Sequence, residues 1–193
     1  MIFVTVGAQM PFDRLVRNVD TWAGRCGRND LFAQIGNTAW RPGNMAWTAF
    51  LDPPDYRQRL FAADLIITHA GMGTILTALE FGRPILVVPR RGDLNETRND
   101  HQFGTARALS EAGRVTVAWN ERELFESLRR LDSLPAPQRV ASHASCRLLN
   151  ALRQFVRREA TAPAFQPVTG ESDPASPIGF LGPEPRQSRR RAA

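Results

Sequence analysis

Two polar turns, each directly after an apolar segment, carry the residue types in this sequence that are best suited to binding a phosphorylated ligand. The first turn runs from Thr68 to Thr74 with the sequence THAGMGT. Glycines allow the backbone to approach a ligand closely, and the free N–H groups at the start of a helix favour a phosphate. The Thr74 hydroxyl can donate to the same phosphate. The same glycines would also suit a tight connection between a strand and a helix.

The glycine pattern of the first turn argues against two common nucleotide functions. A P-loop ends in Gly-Lys-Ser/Thr, and a dinucleotide-binding fold has a spaced glycine triplet. The turn has neither pattern. We therefore do not predict ATP hydrolysis or NAD binding.

The second turn follows the apolar segment 85–88 and leads into a predicted helix. Polar side chains concentrated at a helix N-terminus can reach the hydroxyl groups of a sugar. A helix cap made by Asn99 or Asp100 would explain the same residues without a ligand. The polar turn contains Arg90, Arg91, Gly92, Asp93, Glu96, Asn99, Asp100, His101 and Gln102.

Short apolar segments alternate with longer segments of helical period, which predicts an α/β fold with a parallel sheet flanked by helices. Ligands of such a sheet bind where loops leave the carboxyl ends of the strands, so both turns belong at one edge. The predicted strands are 2–6, 31–35, 45–50, 64–68, 85–88 and 114–118. The predicted helices are 11–25, 54–62, 73–82, 100–112, 121–131 and 138–159.

The basic charge of the chain comes from arginine alone. Its 193 residues include 25 basic side chains, all of them arginine, against 19 acidic ones, for a formal charge of +6. Guanidinium groups favour bidentate contact with phosphate or carboxylate, so nucleic acid and anionic membranes have to be weighed as partners. The sequence shows no stripe of basic and aromatic residues of the kind that single-stranded nucleic acid needs. Nucleic acid is therefore not a predicted partner.

The sequence offers no evident site for a metal. Two cysteines, Cys26 and Cys146, cannot form one by themselves, and no pair of carboxylates has the spacing of a divalent-metal site. We expect neither a metal nor a cofactor. The N-terminus lacks the features of a signal peptide, and no segment approaches the roughly 18 apolar residues of a membrane span. These features predict a cytoplasmic protein that meets a membrane only through a surface or a partner.

The sequence predicts three segments, 1–137, 138–160 and 161–193. The first holds the sheet and is long enough for one globular domain. The second is an amphipathic basic helix over 138–159, in which five arginines outnumber the single acid Glu159. This helix either covers the sheet of its own domain or docks on another subunit, and its arginines can lie against anionic lipid. The third segment, rich in proline, is predicted to be disordered.

Several separated motifs resemble the donor-binding domain of inverting glycosyltransferases of family 28. The run from Ile66 to Gln102 resembles the donor-binding signature of that family. The sequence is similar in particular to the small subunit of two-component bacterial exopolysaccharide transferases and to its eukaryotic relative in dolichol-linked N-acetylglucosamine addition. The likeness covers residues 1–131. Further matching motifs are Met1–Gly7, Pro11–Val16, Gln34–Gly36, Gly82–Pro84 and Val88–Arg90.

The resemblance implies a Rossmann-like domain that corresponds to the C-terminal half of a GT-B glycosyltransferase and holds a UDP-sugar donor. It implies a phosphate site at His69, Gly71, Gly73 and Thr74. It also implies that Gly7, after the first strand, lines the cleft that faces the acceptor.

The resemblance assigns the second turn to the sugar of the donor. His101 and Gln102 would contact the sugar hydroxyls, and Asn99 and Asp100 would shape the turn. Glu96 matches an acid often found there and is expected to anchor the loop.

Two positions depart from the family pattern. Ala70 stands where a second glycine often follows the motif histidine, and a methyl group is tolerated there when φ is negative. Thr77 stands where related donor sites carry a glutamate that accepts both ribose hydroxyls, so we expect it to make one weaker contact. Glu80, one helical turn further, either substitutes through a shifted pose or is a solvated or capping side chain.

The resemblance implies an inverting hexosyltransferase that uses a UDP-sugar without a metal. Helix N-terminal amides and Thr74 would stabilise the leaving diphosphate, whereas no residue presents itself as the general base. We therefore expect the base and the polyprenyl-diphosphate-linked acceptor on a membrane-anchored partner subunit, without which the chain is inactive. The pair would act in exopolysaccharide biosynthesis at the inner face of the cell membrane. The alternative is a non-catalytic nucleotide-sugar-binding or regulatory subunit.

Overall fold

The structure of the chain is a computed structural model that describes residues 1–161. The described residues divide into two compact units, residues 1–144 and residues 145–161. The predicted proline-rich tail, apart from Thr161, lies outside the described residues.

Within the described residues, six parallel strands form one sheet. They are β1 Ile2–Thr5, β2 Leu31–Gln34, β3 Ala46–Thr48, β4 Leu65–Thr68, β5 Ile85–Val87 and β6 Thr116–Val117. Their order is β3-β2-β1-β4-β5-β6, so the chain builds outward from β1 in one direction and then, from β4, in the other. Thr5, the last residue of β1, pairs with Gln34 on one side and Thr68 on the other. The predicted Rossmann-like parallel sheet is confirmed.

The first unit also contains five α-helices, four of them between strands and the last after β6. They are α1 Asp13–Cys26, α2 Pro53–Ala62, α3 Met72–Phe81, α4 His101–Glu111 and α5 Glu121–Arg129, followed by a short 3-10 helix, Leu131–Ser133. Local sequence sets several of their ends. The Asp52 side chain accepts from the Asp55 amide at 2.8 Å and caps α2, and Asn120 caps α5 by accepting from the Glu123 amide at 2.9 Å. Gly82 ends α3 with a left-handed φ of 66°, which favours glycine.

The core lies on both faces of the sheet. Neighbouring residues of a strand point to opposite faces, so Val4 packs into the cluster that contains Leu15 of α1, whereas Phe3 packs into the cluster that contains Leu79 of α3. All four side chains are fully buried or within 1% of it. This double burial explains why the central strands are continuous apolar segments, and it makes the sheet a fixed frame for the loops at its edge.

The last described helix, α6 Cys146–Thr161, belongs to the second unit. The predicted helical start at residue 138 is wrong. Ser145 caps the helix, because its Oγ accepts from the Leu148 amide at 3.3 Å. Residues 138–144 belong to the first unit. Val140 packs against the buried cluster that contains Leu79, and its amide donates to the Leu79 carbonyl at 3.2 Å.

Helix α6 is amphipathic. Leu148, Leu152 and Phe155 recur at intervals of four and three residues and are exposed, Phe155 by 62%. Arg147 and Arg153 fall on other positions of the helical repeat. Across residues 1–161, no helix combines the length and the apolar character needed to cross a membrane.

Candidate functional site

A cleft of about 480 Å³ opens at the carboxyl edge of the sheet, where the strand order reverses between β1 and β4. The segments that follow β1, β4 and β5 supply its walls, as expected for an open α/β sheet. Thr77, Asn99 and Asp100 lie outside the lining of the cleft. The predicted site residues that line it are Gly7, His69, Gly71, Gly73, Thr74, Glu96, His101 and Gln102.

The segment after β1 turns sharply at Gly7, which has a φ of 76°. Such a left-handed conformation favours glycine. The Gly7 amide donates to Thr5 Oγ1 at 3.2 Å, and its carbonyl accepts from Gln34 Nε2 at 3.1 Å. Gln34 is buried, and its Oε1 accepts from the Leu51 amide at 3.0 Å. A single amide side chain therefore fixes the turn after β1 and the segment after β3 together.

His69 fills the floor of the cleft between two glycines. A Cβ at Gly7 would lie 2.6 Å from His69 Cε1, and a Cβ at Gly71 would overlap the Nε2 atom. The pKa of His69 is lowered to about 4, mainly by burial and in addition by the nearby Arg90 cation, against the opposing effect of a hydrogen bond to the Thr5 backbone. The imidazole is therefore neutral at neutral pH, and it can offer a ligand a hydrogen bond but no charge.

The turn after β4 presents backbone to the cleft. Gly71 is the N-cap of α3, and the helix begins at Met72. The first amides of any α-helix have no intrahelical acceptor and carry the positive end of the helix dipole. A Cβ at Gly73 would meet nothing within 4 Å, so this position is open. The arrangement suits an anionic ligand such as a diphosphate.

Thr74 closes the first turn of α3. Its side chain is buried, with 6% exposed, although the residue lines the cleft. Its Oγ1 is hydrogen-bonded to the Tyr56 hydroxyl at 2.7 Å. The position of the Thr74 hydroxyl is thus fixed from below by a side chain of α2.

The second wall is formed by the start of α4. Gln102 is buried, and its Oε1 accepts from the Arg90 amide at 3.1 Å, so its Nε2 is the group that can donate to a ligand hydroxyl. His101 is exposed, and its Nδ1 is hydrogen-bonded to Asn99 Oδ1, so Nε2 is the ring nitrogen left for a ligand. Asp100 Oδ1 accepts from the Gly92 amide at 3.0 Å. Asn99 and Asp100 therefore act on the shape of this turn.

Arg90 joins the loop after β5 to the loop after β1. Its buried guanidinium donates to the carbonyl oxygens of Val6 at 2.8 Å, Met10 at 2.6 Å, Pro11 at 2.6 Å and Glu96 at 3.0 Å. Burial lowers the pKa of Arg90 to about 10, while the Glu96 carboxylate acts in the opposite direction. The group is still charged at neutral pH. Its protons are directed to backbone oxygens of the chain itself.

Glu96 holds the second loop in place through its carboxylate. Arg14 of α1 binds it in a bidentate pair at 2.7 and 2.9 Å, and the Arg91 amide donates to the same carboxylate at 2.9 Å. Bidentate pairs of this kind fix geometry as well as charge. The contacts of Glu96 thus tie the loop to the start of α1.

Thr77 and Glu80 have partners within the chain. Thr77 Oγ1 donates to the Gly73 carbonyl at 2.9 Å, and Glu80 forms an ion pair with Arg57 of α2 at 2.9 Å. The pose in which Glu80 replaces the family glutamate would have to break this pair. Among residues 1–161, no three His, Cys, Asp or Glu side chains come together in a group that could hold a metal ion.

Three side chains that shape the cleft have no role in the sequence-based site, namely Gln34, Tyr56 and Arg90. Gln34 and Arg90 stand in motifs that resemble the family, but their partners lie 27 and 84 residues away in the chain. Tyr56 is the single tyrosine of the sequence. Arg90 lies in the polar turn, three residues after the end of β5, and this position is the one local signal that points to it.

Two curated relatives match part of this chain. UDP-N-acetylglucosamine transferase subunit ALG13 of Mus musculus is 36% identical over 148 residues, which cover 70% of this chain and 11% of the relative. UDP-N-acetylglucosamine--N-acetylmuramyl-(pentapeptide) pyrophosphoryl-undecaprenol N-acetylglucosamine transferase of Thermus thermophilus is 30% identical over 112 residues, which cover 55% of this chain and 31% of the relative. The chain thus matches 11% and 31% of the lengths of these two curated relatives.

A solved structure shares the fold. The solution structure of ALG13 superposes with a TM-score of 0.51 and 22% identity, and the match covers 74% of this chain and 90% of that one. The model of the glycosyltransferase family 28 C-terminal domain matches residues 1–156. Because this match takes in both walls of the cleft, the chain belongs to glycosyltransferase family 28.

Proposed function

We propose that this chain is the donor-binding subunit of an inverting glycosyltransferase that moves a hexosyl group from a UDP-sugar to a polyprenyl-diphosphate-linked acceptor. The observation that carries the proposal is the cleft itself. It joins the open first turn of α3, suited to a diphosphate, to the amide of Gln102, suited to a sugar hydroxyl. Membership of family 28 and relatives named as UDP-N-acetylglucosamine transferases support a UDP-sugar as the ligand.

The first turn of α3 would stabilise the leaving group. In inverting transfer the bond between the anomeric carbon and the diphosphate breaks as negative charge grows on UDP. Amides of the α3 N-terminus and the Thr74 hydroxyl are pre-organised to meet that charge. Removing one such donor from an oxyanion-type site costs about 3–4 kcal/mol in known enzymes. A neutral His69 adds a hydrogen bond without drawing the leaving group into a tight ion pair.

The second wall would select the sugar. Because Gln102 Oε1 is held by the Arg90 amide, the orientation of the Gln102 side-chain amide is fixed. Its Nε2 can then donate to one hydroxyl at a defined position on the ring. His101 lies on the exposed side of the same turn and can contact a second hydroxyl through Nε2.

The acceptor and the general base would come from a membrane-anchored partner. The histidines of the cleft, His69 and His101, both belong to the proposed donor walls. The mouse relative is named as a subunit, which supports a partner for this chain as well. We assign the docking role to α6, whose exposed Leu148, Leu152 and Phe155 form an apolar face. The chain would then act in exopolysaccharide biosynthesis, peripheral at the inner face of the membrane.

Calorimetric titration of the full chain with UDP, UDP-N-acetylglucosamine and UDP-glucose, with GDP as control, tests the donor site. We expect heat with the uridine nucleotides and none with GDP. The Gln102→Ala variant should bind UDP like the wild type but lose discrimination between the two sugars. Gln58→Ala, an exposed glutamine of α2, should change neither property. Absence of heat with all uridine nucleotides would overturn the proposal.

Co-expression with a candidate membrane partner tests the transferase reaction and the docking role. Radiolabelled UDP-sugars should label a lipid-linked acceptor only when both chains are present. Donor binding without any transfer by the pair would instead favour a regulatory subunit. Truncation after Ala144 keeps the first unit complete, including Val140, and should abolish co-purification with the partner. Unchanged co-purification of the truncated chain would remove α6 from the docking role.

A further inference from the structure

Tyr56 stands in the middle of a chain of hydrogen bonds that joins the two glycine turns of the cleft. Its hydroxyl is 2.7 Å from Thr74 Oγ1 and 3.4 Å from Thr5 Oγ1. Thr5 Oγ1 in turn accepts from the Gly7 amide at 3.2 Å. The chain therefore begins at the turn after β1 and ends in the first turn of α3, beneath the place where an anion would sit.

The ring of Tyr56 is held in a defined position. It packs edge-on against Phe3 of β1, with centroids 5.7 Å apart and planes 70° apart, and Phe3 is fully buried. Tyr56 lies in the first turn of α2, and its amide bonds back to the Asp52 carbonyl at 2.9 Å. A rigid phenol on a capped helix keeps its hydroxyl in place at little cost in conformational entropy.

The direction of the protons in this chain matters for an anionic ligand. The Gly7 amide can only donate, so Thr5 Oγ1 is an acceptor at that end. If Thr5 donates to Tyr56 and Tyr56 donates to Thr74, the Thr74 proton is free to point into the cleft. Each hydroxyl then donates to the next group along the chain, and the last one, Thr74, donates to a phosphate oxygen. In such a chain each hydrogen bond polarises the next.

We propose that Tyr56 is a positioning residue that acts through Thr74 on the diphosphate of the donor. This inference rests on the proposed donor site. Tyr56 fixes the rotamer of the Thr74 hydroxyl and supplies the hydrogen bond that turns its proton towards the ligand. The 3.4 Å separation from Thr5 is long for an O–H···O bond and leaves room for the chain to tighten when the anion binds.

Calorimetry of the full chain with UDP, inorganic pyrophosphate and uridine tests the role of Tyr56. Loss of one net hydrogen bond corresponds to about a five- to tenfold weaker interaction, so Tyr56→Phe should raise the Kd for UDP and pyrophosphate by that factor. Its Kd for uridine should stay unchanged. Thr74→Val should weaken the same two ligands at least as much, and the double variant should be no weaker than Thr74→Val alone. Thr74→Ser should retain wild-type affinity.

Controls separate this role from a structural one. Ser133→Ala removes a hydroxyl that bonds the Arg130 carbonyl away from the cleft, and it should leave all three affinities unchanged. Tyr56→Phe should still unfold cooperatively, with its thermal midpoint lowered by no more than the loss of one hydrogen bond accounts for. If this variant does not fold, Thr5→Val interrupts the chain from its other end and should weaken pyrophosphate binding in the same direction.

The outcomes are distinct. A wild type that binds neither UDP nor pyrophosphate overturns the proposed donor site. A wild type that binds both, with Tyr56→Phe equal to it, overturns the positioning role and leaves the donor site standing. Equal losses for uridine and pyrophosphate would make Tyr56 a structural residue.

Discussion

The cleft has two walls at the same edge of one sheet. One is the turn from β4 to α3, the other is the segment from β5 to the start of α4, and they are built in opposite ways. The turn between β4 and α3 is made of glycines and a neutral histidine, and it offers backbone amides. The loop between β5 and α4 is rich in charged side chains, and the hydrogen bonds of Arg90 and Glu96 are made to other groups of the chain. The first wall depends on the absence of side chains, and the second depends on their mutual pairing.

This difference teaches where a substitution acts. In the glycine turn an added atom blocks space that His69 or a ligand needs, so the chain is sensitive to gain of volume. In the charged loop the removal of a side chain leaves buried partners without a bond, so the chain is sensitive to loss. Four predictions test this contrast.

The largest effect is expected for Arg90→Met. The substitution leaves the backbone carbonyl groups of Val6, Met10, Pro11 and Glu96 without their donor, whereas the Glu96 carboxylate keeps its pair with Arg14. Each buried acceptor left unsatisfied costs about 1–3 kcal/mol, so the free energy of unfolding, measured by urea denaturation, should fall by at least about 3 kcal/mol. Arg98→Met, in the same loop but exposed, should cost under about 0.5 kcal/mol. Equal losses for the two variants would show that the pairing of Arg90 does not support the loop.

The second effect is a pH dependence of the free energy of unfolding, which comes from the neutral His69 of the glycine turn. Folding lowers the pKa of His69 from 6.5 to about 4, so between these values the unfolded chain binds a proton that the folded chain does not. The free energy of unfolding should therefore fall as the pH is lowered from 6.5 to 4, by up to about 3 kcal/mol. Urea denaturation across this range should show the slope in the wild type and in His101→Gln. The slope should disappear in His69→Gln, and its persistence there would assign it to other groups.

The third effect separates two glycines of one turn. Gly71→Ala places a methyl group against His69 Nε2 and should reduce the free energy of unfolding by about 1–3 kcal/mol. Gly73→Ala meets nothing within 4 Å and lies inside a helix, so it should keep or slightly raise stability while weakening UDP, whose phosphate needs that space. Thermal denaturation and UDP titration measure both. If Gly73→Ala binds UDP normally, the diphosphate does not approach this amide.

The smallest effect, a change in UDP affinity, is expected for Thr77→Glu, which replaces a short side chain of α3 by a longer, charged one. The Thr77 hydroxyl donates to the Gly73 carbonyl, and position 77 offers no carboxylate to the ribose of the proposed donor. Thr77→Glu should tighten UDP binding about three- to tenfold, because a carboxylate accepts stronger hydrogen bonds than a hydroxyl. Thr77→Gln, which has the same size without the charge, should gain less. No gain for Thr77→Glu would place the ribose elsewhere.

The sequence was sufficient to predict the sheet because its signals are local. Each central strand is buried on both faces and therefore reads as a continuous apolar segment, as for Leu65–Thr68. The edge strands were predicted too long. The segment 45–50 forms a strand only at Ala46–Thr48, and the segment 114–118 only at Thr116–Val117, because each pairs on one side alone.

The site could be predicted only in part, for the same reason. Glycines before a helix, or a polar run at its start, are visible within a few residues, and the cleft contains most of the residues chosen on those grounds. Contacts across the sheet edge are not visible in this way. Thr5 and Tyr56 are 51 residues apart, and Val6 and Arg90 are 84 apart, so only the fold brings them together.

The four backbone hydrogen bonds of Arg90 limit how this sequence can diverge. A lysine carries its protons on one nitrogen and cannot span acceptors spaced along a loop as a planar guanidinium does. Burial would also favour its neutral form. Exposed positions such as Arg98 can exchange arginine for lysine freely, so a descendant of this chain that drifted to a lysine-rich composition would still have to keep arginine at position 90.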